Sequence, residues 1–241
     1  PYMDYEEFLE SCNLNFNYYK PLDEWESLSI NYTSGTTGNP KGVVYHHRGA
    51  YLNAMGNSLE WDMKMHPTYL WTLPMFHCNG WCFPWTIAMR AGTNICLRKV
   101  TGENIYDKII SHGVEYLCGA PTVLSFIINT DTPHVKKLDC RVKLMTAAAP
   151  PPAKILEQIE KCGFDVTHVY GLTEVYGPAV ICKWKSEWNR LGDSEKSNLK
   201  SRQGVSYLVQ EDLKVVNSET RKEVKPDGNE LGEVLLRGNI T

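Results

Sequence analysis

Long apolar runs are missing from this sequence. No stretch reaches the ~20 consecutive apolar residues that cross a bilayer, and Arg90 breaks the longest candidate, residues 81–97. A basic block is missing as well: 25 Lys and Arg stand against 28 Asp and Glu, for a net charge of −3. A nucleic-acid partner therefore has no electrostatic support. Nor is there a C-x-x-C pair among the eight cysteines, Cys12, Cys78, Cys82, Cys96, Cys118, Cys140, Cys162 and Cys182. Scattered singly, most of them in apolar stretches, they read as buried free thiols of a reducing compartment. His77, Cys78 and Cys82 lack a fourth ligand at a usual spacing, which argues against zinc. Internal repeats and low-complexity tracts are absent too. What is present is an ordinary globular balance, 42% hydrophobic and 22% charged over 241 residues, enough for a substantial core.

From about residue 68 to 170, short apolar runs alternate with helical spacing. Strands are expected at 69–73, 94–97, 114–117, 142–146 and 166–169. Helices are expected near 81–90, at 103–111, after Pro121, and at 153–161 with Gly163 as C-cap. The alternation implies parallel strands with helices covering the sheet. Residues 183–203 read as a charged, helix-tending excursion, and 207–209, 213–216 and 233–237 as short strands between turns. An α/β core over about 68–175 and a β-rich part from about 205 to 241 are the expected organisation.

The sharpest feature lies earlier, in Tyr32-Thr33-Ser34-Gly35-Thr36-Thr37-Gly38-Asn39-Pro40-Lys41-Gly42. Gly35 and Gly38 let backbone N–H groups face an anion with no Cβ in the way. The hydroxyls of Thr33, Ser34, Thr36 and Thr37 donate to phosphate oxygens, and Lys41 adds a mobile positive charge. Apolar residues at 28–32 and 43–45 flank the run, so it is expected to join two strands. A Walker A loop is excluded, because Pro40 precedes the lysine and Gly42 follows it.

Residues 33–42 resemble the signature loop of the adenylate-forming superfamily, which includes acyl-CoA synthetases, luciferases and peptide-synthetase adenylation domains. The resemblance continues in order along nearly the whole chain. Thr146-Ala147-Ala148-Ala149-Pro150 is similar to the adenine-docking run, although by itself an Ala-rich strand end more often reads as tight packing. Tyr170-Gly171-Leu172-Thr173-Glu174 matches the segment that stacks on adenosine, offers a hydroxyl to the α-phosphate and supplies a carboxylate to Mg²⁺; alone, Glu174 reads as a helix-start carboxylate. Phe76-His77-Cys78-Asn79-Gly80-Trp81 is similar to the acyl-pocket region, with His77 near the substrate carboxylate, though a lone His in an apolar stretch is commonly structural. The run has no carboxylate to meet an amino group, which disfavours an amino-acid substrate. Residues 232–238 resemble a structural strand motif, and His46-His47-Arg48 reads as a polar helix start.

The resemblance implies an α/β fold of layered parallel sheets with flanking helices plus part of a small β-barrel, the incomplete N-terminal domain of such an enzyme. It implies Lys41, Thr173, Glu174 and His77 as catalytic residues and Glu174 as the metal ligand. Nucleotide contacts would come from residues 33–38, Lys41, Ala147, Ala148, Ala149, Pro150, Tyr170, Gly171 and Thr173. ATP, Mg²⁺ and CoA would serve the activation of a short- or medium-chain or aromatic carboxylic acid to an acyl-adenylate and then to an acyl-CoA. Transfer to a carrier protein, a luciferase-like oxidation and a non-catalytic nucleotide-binding module are the alternatives. The family's later Thr-Gly-Asp segment, hinge and C-terminal domain do not occur within 241 residues, so the chain reads as a fragment that does not turn over alone. An intracellular setting is expected, cytoplasmic or organellar, with a peroxisome admitted for a eukaryotic source. Nothing sets the oligomeric state.

Overall fold

The structure, a computed structural model, describes residues 3–33, 38–130, 138 and 141–241. In chain order these form α1 (Tyr5–Glu10), β1 (Ser27–Thr33), β2 (Lys41–His46), α2 (His47–Glu60), β3 (Thr68–Trp71), the short turn α3 (Cys78–Trp81), α4 (Phe83–Met89) and β4 (Thr93–Cys96). Next come α5 (Gly102–His112), β5 (Tyr116–Gly119), α6 (Pro121–Ile128), β6 (Val142–Thr146), α7 (Ala153–Lys161), β7 (Phe164–Leu172) and β8 (Gly177–Ile181). The chain closes with α8 (Asp193–Lys200), β9 (Val205–Ser206), β10 (Gln210–Val216) and β11 (Glu233–Gly238).

Seven strands make one mixed sheet in the order β4-β3-β5-β6-β7-β8-β9. The first five pair in parallel, as strands separated by helices require. Successive side chains on these strands point to opposite faces, and the register turns that alternation into two different rows. Leu70, Leu117, Leu144 and Val166 lie side by side on one face, where Ile105 and Ile109 of α5, Leu124 and Ile127 of α6, and Leu156 and Ile159 of α7 cover them. Tyr69, Trp71, Tyr116, Cys118 and Met145 face the other way and pack with Trp61, Phe83, Ile87 and Tyr207. Fully burying one such side chain contributes about 1.5–3 kcal/mol, so the two rows hold the sheet between unlike layers. Every described cysteine is a free thiol, and no described helix is long and apolar enough to cross a membrane.

The helix expected at 153–161 is α7, and those expected at 103–111 and after Pro121 are α5 and α6. Thr101 caps α5 by accepting from the Asn104 N–H at 3.2 Å. Four details differ from the sequence reading. The helix expected near 81–90 starts only at Phe83, since Trp81 and Cys82 have φ of 55° and 64°. The strand expected at 114–117 runs from Tyr116 to Gly119. Gly163, with φ of 97°, follows the C-cap Cys162 instead of forming it. The strand expected at 207–209 lies two residues earlier, as β9 on the main sheet, and β8 and β9 run antiparallel. The β-rich part is one antiparallel pair, β10–β11, and among the described residues no barrel closes. β1 and β2 form a separate antiparallel hairpin, with Thr33 opposite Lys41.

Candidate functional site

The carboxyl ends of β3, β6 and β7 open towards the tip of the β1–β2 hairpin. That is where open α/β sheets bind ligands, because the chain leaves each strand into a loop there. A cavity of about 650 Å³ lies between them. The hairpin contributes Thr33, Gly38, Asn39 and Lys41, and the segment after β3 contributes His77, Cys78 and Trp81. Ala147 and Ala148 come from the end of β6, and Gly171, Leu172, Thr173, Glu174, Gly177 and Pro178 from the β7–β8 connection. Lys41 and Glu174, 133 positions apart in sequence, thus line one space. Both are exposed, and among the described residues neither forms an ion pair. A cavity with an unengaged cation and an unengaged carboxylate suits a polyanion that brings its own hard cation.

Two side-chain contacts seat Thr173. The Tyr45 hydroxyl on β2 donates to the Thr173 carbonyl at 2.7 Å, and Cys78 Sγ lies 3.3 Å from Thr173 Oγ1. Burial, the largest influence, raises the pKa of both the Tyr45 phenol and the Cys78 thiol, so both stay protonated. The Tyr45 ring also stacks on Tyr176, centroids 4.0 Å apart, while the Tyr176 hydroxyl accepts from the His46 N–H at 2.9 Å. His46 itself caps α2: its Nδ1 accepts from the Gly49 N–H at 3.0 Å. Burial and the nearby Arg48 guanidinium hold its pKa below the usual histidine value, and the neutral ring keeps the lone pair that capping needs.

The segment after β3 has an unusual backbone. Cys78, Asn79, Gly80, Trp81 and Cys82 all have positive φ, between 40° and 64°. Four of the five carry a Cβ, and left-handed geometry costs such residues of order 1 kcal/mol or more each. Side chains from two other elements and one backbone carbonyl hold the turn. Ser29 Oγ and Asn31 Nδ2 on β1 donate to Asn79 Oδ1 at 2.6 and 2.8 Å. The Asn57 amide on α2 donates to the Trp81 carbonyl at 2.8 Å, and the Cys82 thiol donates to the Tyr176 carbonyl at 3.3 Å. His77 precedes the turn and is exposed at the cavity wall.

Of the residues singled out in the sequence, Thr33, Gly38, Lys41, His77, Ala147, Ala148, Gly171, Thr173 and Glu174 line the cavity. Ala149, Pro150 and Tyr170 are not among its lining residues. Ser34, Gly35, Thr36 and Thr37 lie outside the described residues. Gly171 has a steric duty: a Cβ there would fall 1.6 Å from the Gly177 carbonyl oxygen, so the β7–β8 turn closes only over a glycine. Sequence reasoning gave no site role to Asn39, Cys78, Trp81, Leu172, Gly177 or Pro178. The first four lie inside the quoted motifs, but none is of a side-chain type that alone separates a site residue from a packing residue. Gly177 and Pro178 follow the Thr173-Glu174 motif closely enough to have been included. Among the described residues no group of three or more His, Cys, Asp and Glu is placed to hold a metal, so a cation here would rest on one carboxylate and on its ligand's oxygens.

A family model for the AMP-binding enzyme matches residues 4–241. The acetate/butyrate–CoA ligase, peroxisomal, of Arabidopsis thaliana is 48% identical over 241 residues, 99% of this chain and 42% of the relative. The benzoate–CoA ligase, peroxisomal, of the same plant is 45% identical over 221 residues, 92% of this chain and 38% of the relative. The chain thus spans about two fifths of the length of these relatives. Among solved structures, the O-succinylbenzoate coenzyme A synthetase of Bacillus subtilis in complex with ATP and magnesium ion superposes with a TM-score of 0.76 at 21% identity, over 97% of this chain and 46% of the other. The inhibitor-bound N-terminal domain of FACL13 from Mycobacterium tuberculosis gives 0.77 at 24%, over 98% and 55%. At these identities the two structures speak to the fold.

Proposed function

The chain belongs to the AMP-binding enzyme family, and from that premise we propose that the protein carrying it activates a small carboxylic acid with ATP and joins it to CoA. The observation that carries this reading is the convergence of Lys41 with Thr173 and Glu174 on one cavity. In the first half-reaction the acid's carboxylate attacks the α-phosphorus of ATP, pyrophosphate leaves, and an acyl-adenylate remains. The CoA thiol then attacks the mixed anhydride, forming the thioester and releasing AMP.

The residues take roles that follow from their chemistry and placement. The Lys41 ammonium neutralises charge on the transferring phosphates, and the Thr173 hydroxyl donates to an α-phosphate oxygen. Ala147 and Ala148, small and at a strand end, leave room for the flat base. His77 lies at the wall where the acid's carboxylate would enter. The single carboxylate of Glu174 fits a Mg²⁺ ion that arrives on phosphates and keeps few protein ligands; when bound, Mg²⁺ supplies charge neutralisation to the triphosphate. The small C-terminal domain expected from the resemblance belongs to this proposal, as do the contacts of residues 34–37, Ala149, Pro150 and Tyr170.

Short aliphatic and aromatic acids are the substrates to test first. Relatives named for acetate, butyrate, 2-methylpropanoate, cinnamate and benzoate support that choice, as does the lack of a carboxylate in residues 76–81. The peroxisomal names of several relatives support the same compartment here. The test is to incubate the full-length protein with ATP, Mg²⁺, CoA and a panel of such acids, scoring acyl-AMP and acyl-CoA separately. Acid-dependent formation of both is expected. Acyl-AMP without acyl-CoA would overturn the CoA step, and ATP binding without any acyl-AMP would overturn the enzymatic reading.

A further inference from the structure

The left-handed turn places one amide where it ties two parts of the site together. Asn79 is half-buried, with φ of 40° and ψ of 55°. Asparagine is among the few residues with a Cβ that visit this region readily. Its Oδ1 accepts from both Ser29 Oγ and Asn31 Nδ2, and its own N–H donates back to Asn31 Oδ1 at 3.3 Å. The two asparagines therefore exchange hydrogen bonds in both directions. Asn31 is 7% exposed and sits two residues before Thr33, which pairs with Lys41 across the hairpin. On the other side, the residue before Asn79 is Cys78, in contact with the Thr173 hydroxyl. From Lys41 through Thr33, Asn31, Asn79 and Cys78 to Thr173 the path is continuous.

We infer that Asn79 is a positioning residue: it fastens β1 to the left-handed turn and thereby sets the spacing between Lys41 and Thr173 across the cavity. This rests on the nucleotide-activating reading above, but the fastening itself is a property of the unliganded protein. The pocket-region motif contains Asn79 without giving it a part of its own, and the cavity lining omits it, its side chain being bonded to β1. Its partners belong to strand β1, whose other hydrogen bonds among the described residues run to β2. Tyr45 and His46 attach the β2 side of the hairpin, and the Asn79 bonds attach the β1 side. Losing the acceptor leaves two donors without it, one of them on a buried side chain, a deficit that amounts to about fivefold to a hundredfold in an equilibrium.

Two substitutions separate the side chain from the backbone. Asn79→Gly keeps the left-handed conformation free of strain but removes the acceptor; Asn79→Asp keeps the acceptor and tolerates the same conformation. In the full-length protein, amide hydrogen exchange across residues 27–46 should accelerate on the order of tenfold in the Gly variant and return most of the way in the Asp variant. This measurement needs no nucleotide, so it decides the fastening even if the proposed activity fails. For the activity, the Gly variant should raise KM for ATP on the order of tenfold in pyrophosphate exchange, with KM for the acid little changed. Asn31→Ala should do the same, and the double variant should add little to either. Unchanged exchange over 27–46 in the Gly variant would overturn the inference. So would equal losses in both KM values and kcat that track a lowered melting temperature, the signature of general destabilisation. Normal wild-type ATP binding with no acyl-AMP for any acid would instead sink the functional reading and leave the fastening standing.

Discussion

Lys41 and Glu174 line the same cavity of about 650 Å³, and neither has an ion-pair partner among the described residues. Charges kept unengaged are ready for a transition state, and removing one such contact typically costs ~3 kcal/mol, on the order of a hundredfold in rate. Lys41→Ala and Glu174→Gln should therefore each slow acyl-adenylate formation by about that factor in the full-length protein, with unfolding curves unchanged. Near-normal rates in either variant would remove that residue from the mechanism. A different kind of residue effect comes from His168. It is 1% exposed, and burial depresses its pKa from the usual 6.5, although the carbonyls of Arg202, Lys200 and Ser201 pull the other way. The folded state thus favours the neutral ring. Above pH ~6.5 both folded and unfolded chains carry it neutral and its full contribution is present. As pH falls further the unfolded chain takes up the proton first, so stability declines until the depressed folded pKa is passed. Urea denaturation between pH 7.5 and 5 should show that decline, at most about 1.4 kcal/mol per pH unit from this group, and His168→Gln should flatten it.

At the scale of elements, the parallel strands and their covering helices were legible because burial there is periodic. Leu156 and Ile159 recur at helical spacing in α7, and Leu70, Leu117 and Leu144 alternate with the aromatic row. Leu144 is 0% exposed at the centre of its row, so Leu144→Ala should cost about 2–5 kcal/mol in chemical denaturation, depending on how far the cavity collapses. The left-handed turn was not legible. Of its five residues only Asn79 and Gly80 are of types that favour positive φ; Cys78, Trp81 and Cys82 adopt it in a turn that Ser29, Asn31, Asn57 and Tyr176 hold, and tertiary bonds leave no mark in local spacing. The antiparallel β8 was hidden for a related reason, since its fully buried run reads the same in either direction. The cavity itself was partly legible: motif residues such as Thr173 and Glu174 line it, while Cys78 and Trp81 arrive through packing. Gly171 links motif and packing. Gly171→Ala would set a methyl against the Gly177 carbonyl, forcing β7 and β8 apart at a cost of about 1–3 kcal/mol, and should lower the melting temperature as well as nucleotide affinity. An unchanged melting temperature would show that the hairpin yields more easily than its geometry indicates.

At the scale of the whole molecule, the apolar surface is unevenly distributed. Leu14 is 97% exposed, Tyr18 91% and Leu22 92%, all within one segment before β1. So much uncovered apolar surface is a docking or aggregation face, and these 241 residues produced alone should self-associate at micromolar concentration by light scattering. A monodisperse monomer would contradict that. The hairpin's attachment has a further consequence, one of reciprocity. The β1–β2 pair meets the Thr173 segment through Tyr45 and His46, bonded to Thr173 and Tyr176, and a ligand lodged between Lys41 and Thr173 would touch both sides of that seam. Whatever free energy the seam gives to holding the ligand, the ligand must return to holding the seam. At a hundred times its Kd, a nucleotide that binds only the folded protein adds about 2.7 kcal/mol to stability. Variants that loosen the seam should then bind nucleotide more weakly and be rescued by it at higher concentration, so that affinity and melting temperature become two readings of one quantity.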